Sequence, residues 1–288
     1  MSGPVAELTD RLQGVGYLAD RGLATAAHVA LSLGRPLLLE GEVGVGKTEI
    51  AKALATVLDR RLIRLQCYEG IDVHQALYDW DYARQLLQIR ALGADELRGE
   101  ETVASLYSTD FLLERPLLSA VRAGDAAVLL IDEIDRADDE FEAFLLELLS
   151  DLQVTIPEIG TVRAPSPPLV VLTSNRTREL HDALKRRCLY HWVGYPDAAR
   201  ELEIVLTRAP EVAEALAAKV VAAVGRLRGL DLAKPPGVAE TIDWARTVDV
   251  VGGTDLDVEI AGDTLGAVVK DRDDLDLVQP QLARIVGG

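Results

Sequence analysis

The run Gly41-Glu42-Val43-Gly44-Val45-Gly46-Lys47-Thr48 sets glycines, a lysine and a threonine at the spacing G-x-x-x-x-G-K-T, a combination suited to holding phosphate. Glycines leave backbone N–H groups uncovered, so these can turn toward phosphate oxygens, and a helix that opens where the run ends adds its dipole. Lys47 supplies a point charge for the β- and γ-phosphates and the Thr48 hydroxyl a ligand for Mg²⁺. A second group follows the apolar run Val128 to Ile131, where Asp132 can hold Mg²⁺ through water and Glu133 can take a proton from an attacking water. Asn175, behind the apolar stretch Leu169 to Thr173, offers a neutral amide to orient that water. Lys185-Arg186-Arg187 is a basic cluster in an acidic chain, and a guanidinium there can stabilise charge on a transferring phosphoryl group.

The bland readings of these residues are a glycine-rich turn, a pair of helix-capping acids (with Asp135 and Asp138 equally available as caps), a turn asparagine and a solvated or nucleic-acid-facing basic patch. Placement favours the chemistry. Leu37-Leu38-Leu39 is a short apolar strand after Pro36, and Ile50, Ala51, Leu54, Val57 and Leu58 recur at helical spacing, so the glycine run ends a strand and opens a helix. The expected ligands are ATP and Mg²⁺. Nucleotide contacts fall to Gly41, Glu42, Val43, Gly44, Val45, Gly46, Lys47, Thr48, Glu49 and Asp132, metal ligation to Thr48 and Asp132, and catalysis to Lys47, Glu133, Asn175 and a cation of the basic cluster.

Other chemistries fit less well. There is no N-K-x-D or T-K-x-D tetrapeptide to read guanine and no Asp-x-x-Gly after the metal strand. Cys188-x-x-His191 is half a zinc spacing, but Cys67 with His74 is not a standard second half. Asp255-Leu-Asp257-Val-Glu259 begins like a calcium loop yet has Ile260 where glycine is required. Gly14-Val-Gly16 lacks the preceding strand of a dinucleotide fingerprint.

The elements that must position these groups alternate. A helix is expected over Tyr17 to Leu33, strands over Arg61 to Cys67, Ala126 to Ile131, Leu169 to Thr173 and Leu189 to Val193, a helix over Phe141 to Leu152, and a small hairpin from Val154 to Arg163. Ile71 to Leu118, with the helical pattern Leu86 to Leu92 and a polar break over 93–102, is long for a simple crossover. After Tyr195-Pro196-Asp197 only helical patterns follow, at Ala199 to Leu206, Val212 to Leu227 and Ala239 to Val250, with one or two short helices in the tail. The expected fold is α/β, a mostly parallel P-loop NTPase sheet wound by helices over residues 1–195, then a small all-α lid domain over 196–288.

With 288 residues and 49% apolar content the chain can bury a sizeable core. No 18-residue apolar run and no basic, apolar start is present, so a soluble cytoplasmic protein is expected, with Cys67 and Cys188 reduced. A formal charge of −17 repels nucleic acid, and no nucleic-acid partner and no membrane segment are expected.

Taken together, G-E-V-G-V-G-K-T, L-L-I-D-E-I-D-R-A at 129–137, V-T-I-P-E-I-G-T at 154–161 and L-T-S-N-R-T-R-E-L-H-D-A-L-K-R-R-C at 172–188 resemble an AAA+ ATPase, and more closely a MoxR-type one of the CoxD-like branch. That resemblance implies a homo-oligomeric, hexameric ring that acts as a chaperone. It further implies a von Willebrand A-domain partner and a metalloenzyme client whose metal centre is matured, such as carbon monoxide dehydrogenase. Lys47 and Thr48 match the Walker A pair, Asp132 and Glu133 the Walker B pair, Asn175 the first sensor and Arg187 the arginine finger, with Cys188 in place of the family's phenylalanine and Arg186 as the alternate finger. The segment before Phe111 corresponds to a helix-two insert, and 154–163 to the pre-sensor hairpin. The chain departs from the family at the start of the lid helix, where Pro236 to Thr241 holds no sensor-two arginine; Arg246 lies about two turns on, and Lys234 is the other cation nearby. Two further readings stand beside the ring ATPase: an ATP-switched assembly module with little turnover, and a DNA-directed motor.

Overall fold

A computed structural model describes residues 3–91 and 105–287. The break at 93–102 and Leu92 lie outside them. In chain order the elements are α1 (Pro4–Gly14), α2 (Arg21–Leu33), β1 (Leu37–Gly41), α3 (Lys47–Leu58), β2 (Arg61–Gln66), α4 (Val73–Leu77), β3 (Tyr78–Trp80), α5 (Tyr82–Ala91), β4 (Leu112–Glu114), α6 (Pro116–Ala123), β5 (Ala127–Asp132), α7 (Asp139–Asp151), β6 (Gln153–Ile156), β7 (Gly160–Arg163), β8 (Leu169–Ser174), α8 (Asp182–Arg187) and β9 (Leu189–Val193). The all-helical remainder is α9 (Ala198–Arg208), α10 (Glu214–Arg228), α11 (Val238–Val250), α12 (Val258–Thr264), α13 (Arg272–Val278) and α14 (Leu282–Gly287).

Five strands form one sheet in the order β2-β5-β8-β1-β9, and the β2·β5, β5·β8 and β8·β1 pairs are parallel. Every residue of β5 and β8 is buried, as continuous apolar runs covered on both faces require, whereas β2 alternates because it is an edge strand. From β1 the chain crosses to β2 at the far edge, passing over β8 and β5, which makes β1 the switch point of the sheet. Ligands of open parallel sheets bind at the carboxyl ends of strands beside such a point. The register sets Glu40 beside Ser174 and Ile131 beside Leu172, so Asp132 and Ser174 both end their strands on that carboxyl edge.

Three expectations change. The N-terminal helix starts at Arg21 rather than Tyr17, because the Asp20 side chain accepts from Leu23 N at 2.8 Å and caps it there. A further helix, α1, precedes it. The tail holds three short α-helices, not one or two, two of them opened by the caps Asp257 and Asp271. Between α4 and α6, β3 and β4 pair antiparallel, and edge-on ring contacts run from His74 to Tyr78, Trp80 and Tyr107.

The described chain divides into two compact units, one of 1–8, 20–40 and 51–191, the other of 9–19, 41–50 and 192–288. The first has a core around Leu38, Leu117, Leu129, Ile131, Phe141 and Leu172. The second is built on Val220, Val224, Trp244, Val248 and Ala261, and the fully buried Trp244 donates its indole N–H to Thr264 Oγ1 at 2.8 Å.

Candidate active site at the carboxyl edge of the sheet

In the first unit the acid pair is held by the neighbouring strand. Thr173 of β8, itself buried, donates its hydroxyl to Asp132 Oδ1 at 2.6 Å and accepts the Glu133 backbone N–H at 2.9 Å. Glu133 takes the left-handed conformation (φ 55°, ψ 51°), which costs a residue with a Cβ about 1–3 kcal/mol unless its surroundings hold it. The Thr173 hydroxyl is such a hold, and the sequence shows it only as a polar residue at the end of an apolar run. Glu133 opens the 3-10 turn after β5 without a side-chain cap, whereas Asp138 caps α7 by accepting from Phe141 N at 2.8 Å.

Asp132 Oδ2 also accepts from Arg64 Nε at 3.0 Å and Nη2 at 2.6 Å. Glu133 Oε2 lies 3.2 Å from Arg136 Nε. Asp132 is thus a buried carboxylate whose charge is offset by the Arg64 guanidinium. Asn175 follows directly on β8 and is half-buried, and Arg176 after it is also left-handed (φ 57°). Cys67, one residue past β2, donates its N–H to Asp132 O at 2.9 Å, and burial, reinforced by Asp132, Asp135 and Glu133, pushes its thiol up to about 12. Burial does the same to Cys188, and both cysteines are free.

In the second unit Gly44 and Gly46 take φ of 75° and 90°, the left-handed turns that expose successive N–H groups as an anion nest. Lys47 Nζ donates to the carbonyls of Gly41 at 2.8 Å and Glu42 at 2.5 Å, so the loop folds back over its own lysine. Thr48 and Glu49 lie in the first turn of α3 and Val43 is exposed at the tip. The donor set fits a polyphosphate. A Cβ on Gly44 would come within 3.0 Å of Gly237 Cα, and Gly44 O accepts from Val238 N at 3.0 Å and Ala239 N at 3.3 Å. The glycine-rich loop therefore caps helix α11 directly. Arg228 fixes that turn, donating to Pro236 O at 2.7 Å and to both oxygens of buried Glu201.

Of the two cations considered for a sensor-two role, Lys234 pairs with Asp271 at 3.0 Å and Arg246 with Glu211 at 2.9 Å. Sequence reasoning overlooked Arg208, which ends α9 and lies 3.6 Å from Glu49 Oε2. Arg208 also lines a cavity of about 530 Å³ with Val15, Gly16, Ala239, Ile242 and Arg246. The remaining expected residue, Arg187, donates to Ser150 Oγ at the last turn of α7. Its carbonyl and those of Arg186 and Cys188 accept from Arg35. Arg187 thus sits at the opposite end of α7 from the acid pair's loop, away from its own chain's carboxylates.

A family model described as the AAA domain, dynein-related subfamily, matches residues 36–188. The chain belongs to that family. Its matches include YehL of Escherichia coli (strain K12), 30% identical over 188 residues that cover 62% of this chain and 46% of the relative. Protein NorQ of Paracoccus denitrificans is 26% identical over 221 residues, 74% of this chain and 72% of NorQ. An uncharacterized protein of Staphylococcus haemolyticus is 26% identical, over 62% of this chain and 63% of its own length. The AAA chain thus spans less than two thirds of the staphylococcal protein and of YehL. These relatives support the MoxR-type AAA+ resemblance. Among solved structures, a point mutant of Thermotoga maritima RuvB has a TM-score of 0.53 at 19% identity, covering 93% of this chain and 77% of that one, a likeness of fold. No helix among the described residues is long and apolar enough to cross a membrane.

Proposed function

We propose that this AAA domain binds ATP with Mg²⁺ and hydrolyses it as a subunit of a hexameric cytoplasmic ring. The observation that carries the reading is the seating of Asp132 and Glu133 by Thr173 at the carboxyl edge of the sheet, two strands from the one that runs on into the phosphate loop. Lys47 exchanges its loop carbonyls for the β- and γ-phosphates, and the nest at Gly44 and Gly46 donates to phosphate oxygens. The remaining loop residues, Gly41, Glu42, Val43, Val45 and Glu49, shape that nest and the first turn of α3. By the family resemblance Thr48 and Asp132 would hold Mg²⁺, which would supply positive charge to the phosphate oxygens. Glu133 takes the proton of the attacking water, and the Asn175 amide orients that water. Arg187 of an adjoining copy offsets charge on the transferring group. The 530 Å³ cavity walled by Val15, Gly16 and Ile242 lies in the same unit as the loop and is of a size for the purine and ribose.

The work done with this turnover is remodelling of a protein partner. By the family resemblance that partner system is a von Willebrand A-domain protein and a metalloenzyme whose metal centre is matured, with carbon monoxide dehydrogenase the example of the CoxD-like branch. The −17 charge weighs against a DNA-directed motor. Glu133→Gln tests the chemistry: ATP binding is retained while turnover falls by about 10²–10⁴-fold. Parent-level phosphate release by that variant removes Glu133 from its role.

A further inference from the structure

In the second unit two glycines meet. Gly237 has an ordinary backbone conformation (φ −81°, ψ −177°) open to any residue, so the need for glycine comes from its neighbour. A Cβ there would lie 2.7 Å from Gly44 Cα and 2.8 Å from Val43 O. Hydrogen bonds fix the approach as well, since Gly44 O accepts from Val238 N at 3.0 Å and Ala239 N at 3.3 Å. No peptide bond among the described residues is cis, and in a planar trans peptide the C=O and the following N–H point in opposite directions. Turning the Gly44 carbonyl toward α11 therefore turns the Val45 N–H away from it, as a loop that receives phosphate on its open side requires.

What holds the turn before α11 is a buried ionic cluster. Arg228, the last residue of α10, donates from Nε to Pro236 O at 2.7 Å. Its Nη1 and Nη2 donate to Glu201 Oε2 and Oε1 at 2.6 and 2.8 Å. Glu201 is 2% exposed and also accepts from the Thr241 hydroxyl, in the first turns of α11, at 2.6 Å. The Tyr195 ring, its centroid 4.3 Å from Arg228 Cζ, covers one face of the guanidinium. A buried ion pair is a poor source of net stability, because desolvation consumes most of the attraction, yet it repays its cost only in a well-formed geometry. One backbone carbonyl and two carboxylate oxygens in this arrangement fit a planar fork and not an ammonium.

We infer that Arg228 is a positioning residue for the glycine-rich loop. By pinning the Pro236-Gly237 turn it keeps the first N–H groups of α11 on Gly44 O, and through that peptide it sets the Val45 N–H for a phosphate oxygen. The inference rests on the ATP reading for the identity of the anion and not for the coupling itself.

Two variants approach the coupling from its two ends. Arg228→Lys keeps a charge for Glu201 but cannot fill Pro236 O and both carboxylate oxygens at once. Gly237→Ala leaves the ion pair alone and drives a methyl against Gly44. Amide hydrogen exchange without nucleotide reads the coupling directly: the Val238 and Ala239 N–H groups are expected to exchange about tenfold faster or more in each variant. With ATP, the KM of each is expected to rise about tenfold with kcat largely kept, which separates misplaced binding from a smaller fraction of folded enzyme. The double variant is expected to be no worse than the more affected single, as for two cuts in one path. Parent-level exchange at Val238 and Ala239 in Arg228→Lys, an unchanged KM in both singles, or additive losses in the double variant overturns the inference. If exchange changes as expected but the parent binds no ATP, the coupling stands and the ATP reading falls.

Discussion

Thr173 is the residue on which the acid pair depends most, because one hydroxyl serves two neighbours: it donates to Asp132 and accepts from the strained Glu133 backbone. Thr173→Val keeps the shape and removes both bonds, leaving a buried carboxylate oxygen and a backbone N–H unmatched at about 1–3 kcal/mol each. Phosphate release is expected to fall about tenfold or more with nucleotide affinity little changed, and Thr173→Ser to recover most of it. Equal loss in the serine variant would show that the methyl, not the hydroxyl, matters. The cysteines give a second residue-scale expectation. In the folded chain the Cys67 and Cys188 thiols keep their protons to about 12, while in the unfolded chain they release them near 9.0. The unfolded state therefore binds fewer protons between those values, and stability, full below pH 9, declines as pH rises through that window. Each thiol contributes a loss on the order of 1 kcal/mol at pH 10. Urea melts at pH 8 and pH 10 should show that decline shrinking in a Cys67→Ala, Cys188→Ala double variant; an unchanged decline would locate the titration elsewhere.

At the scale of elements, what the sequence made legible followed from burial. β1, β5 and β8 open as unbroken apolar runs because they lie inside the sheet, and Glu40, Asp132 and Thr173 with Ser174 bring polar side chains to their carboxyl ends. The loop at 41–48 is equally readable, since glycines that must turn left-handed leave a mark no packing constraint would. Less visible are features made by pairs distant in sequence. The Arg64 guanidinium on Asp132, the Thr173 hold and the Gly44 carbonyl capping α11 each join positions 40 to about 190 residues apart, and no spacing rule announces them. The start of α2 differs from expectation because the apolar pattern extends past the cap, and Asp20 stops the helix with a single hydrogen bond. The cavity between α9, α11 and the Val15-Gly16 turn belongs to the same class, being formed by three segments of the second unit. Ile242→Trp fills it while leaving the phosphate loop intact. That variant is expected to raise the KM for ATP about tenfold or more with kcat largely kept, measured by steady-state turnover; an unaltered KM would place the base elsewhere.

For the whole molecule, the central claim is that a working site needs two copies. On that claim the acids of one chain would be completed by Arg187 from the next, while each chain's own Arg187 is tied to Ser150 at the far end of α7. The −17 charge would make such a meeting between copies depend on local complementarity rather than overall attraction. The most direct measurement mixes two dead variants. Glu133→Gln lacks the base and Arg187→Ala lacks the finger, so each alone is expected to be nearly inactive while still binding ATP. In an equal mixture roughly a quarter of the interfaces pair an intact Glu133 with an intact Arg187, by random head-to-tail assembly. Phosphate release is predicted to recover to about that fraction of the parent rate. A mixture as inactive as its components, or an Arg187→Ala chain that turns over ATP at the parent rate, would contradict the account.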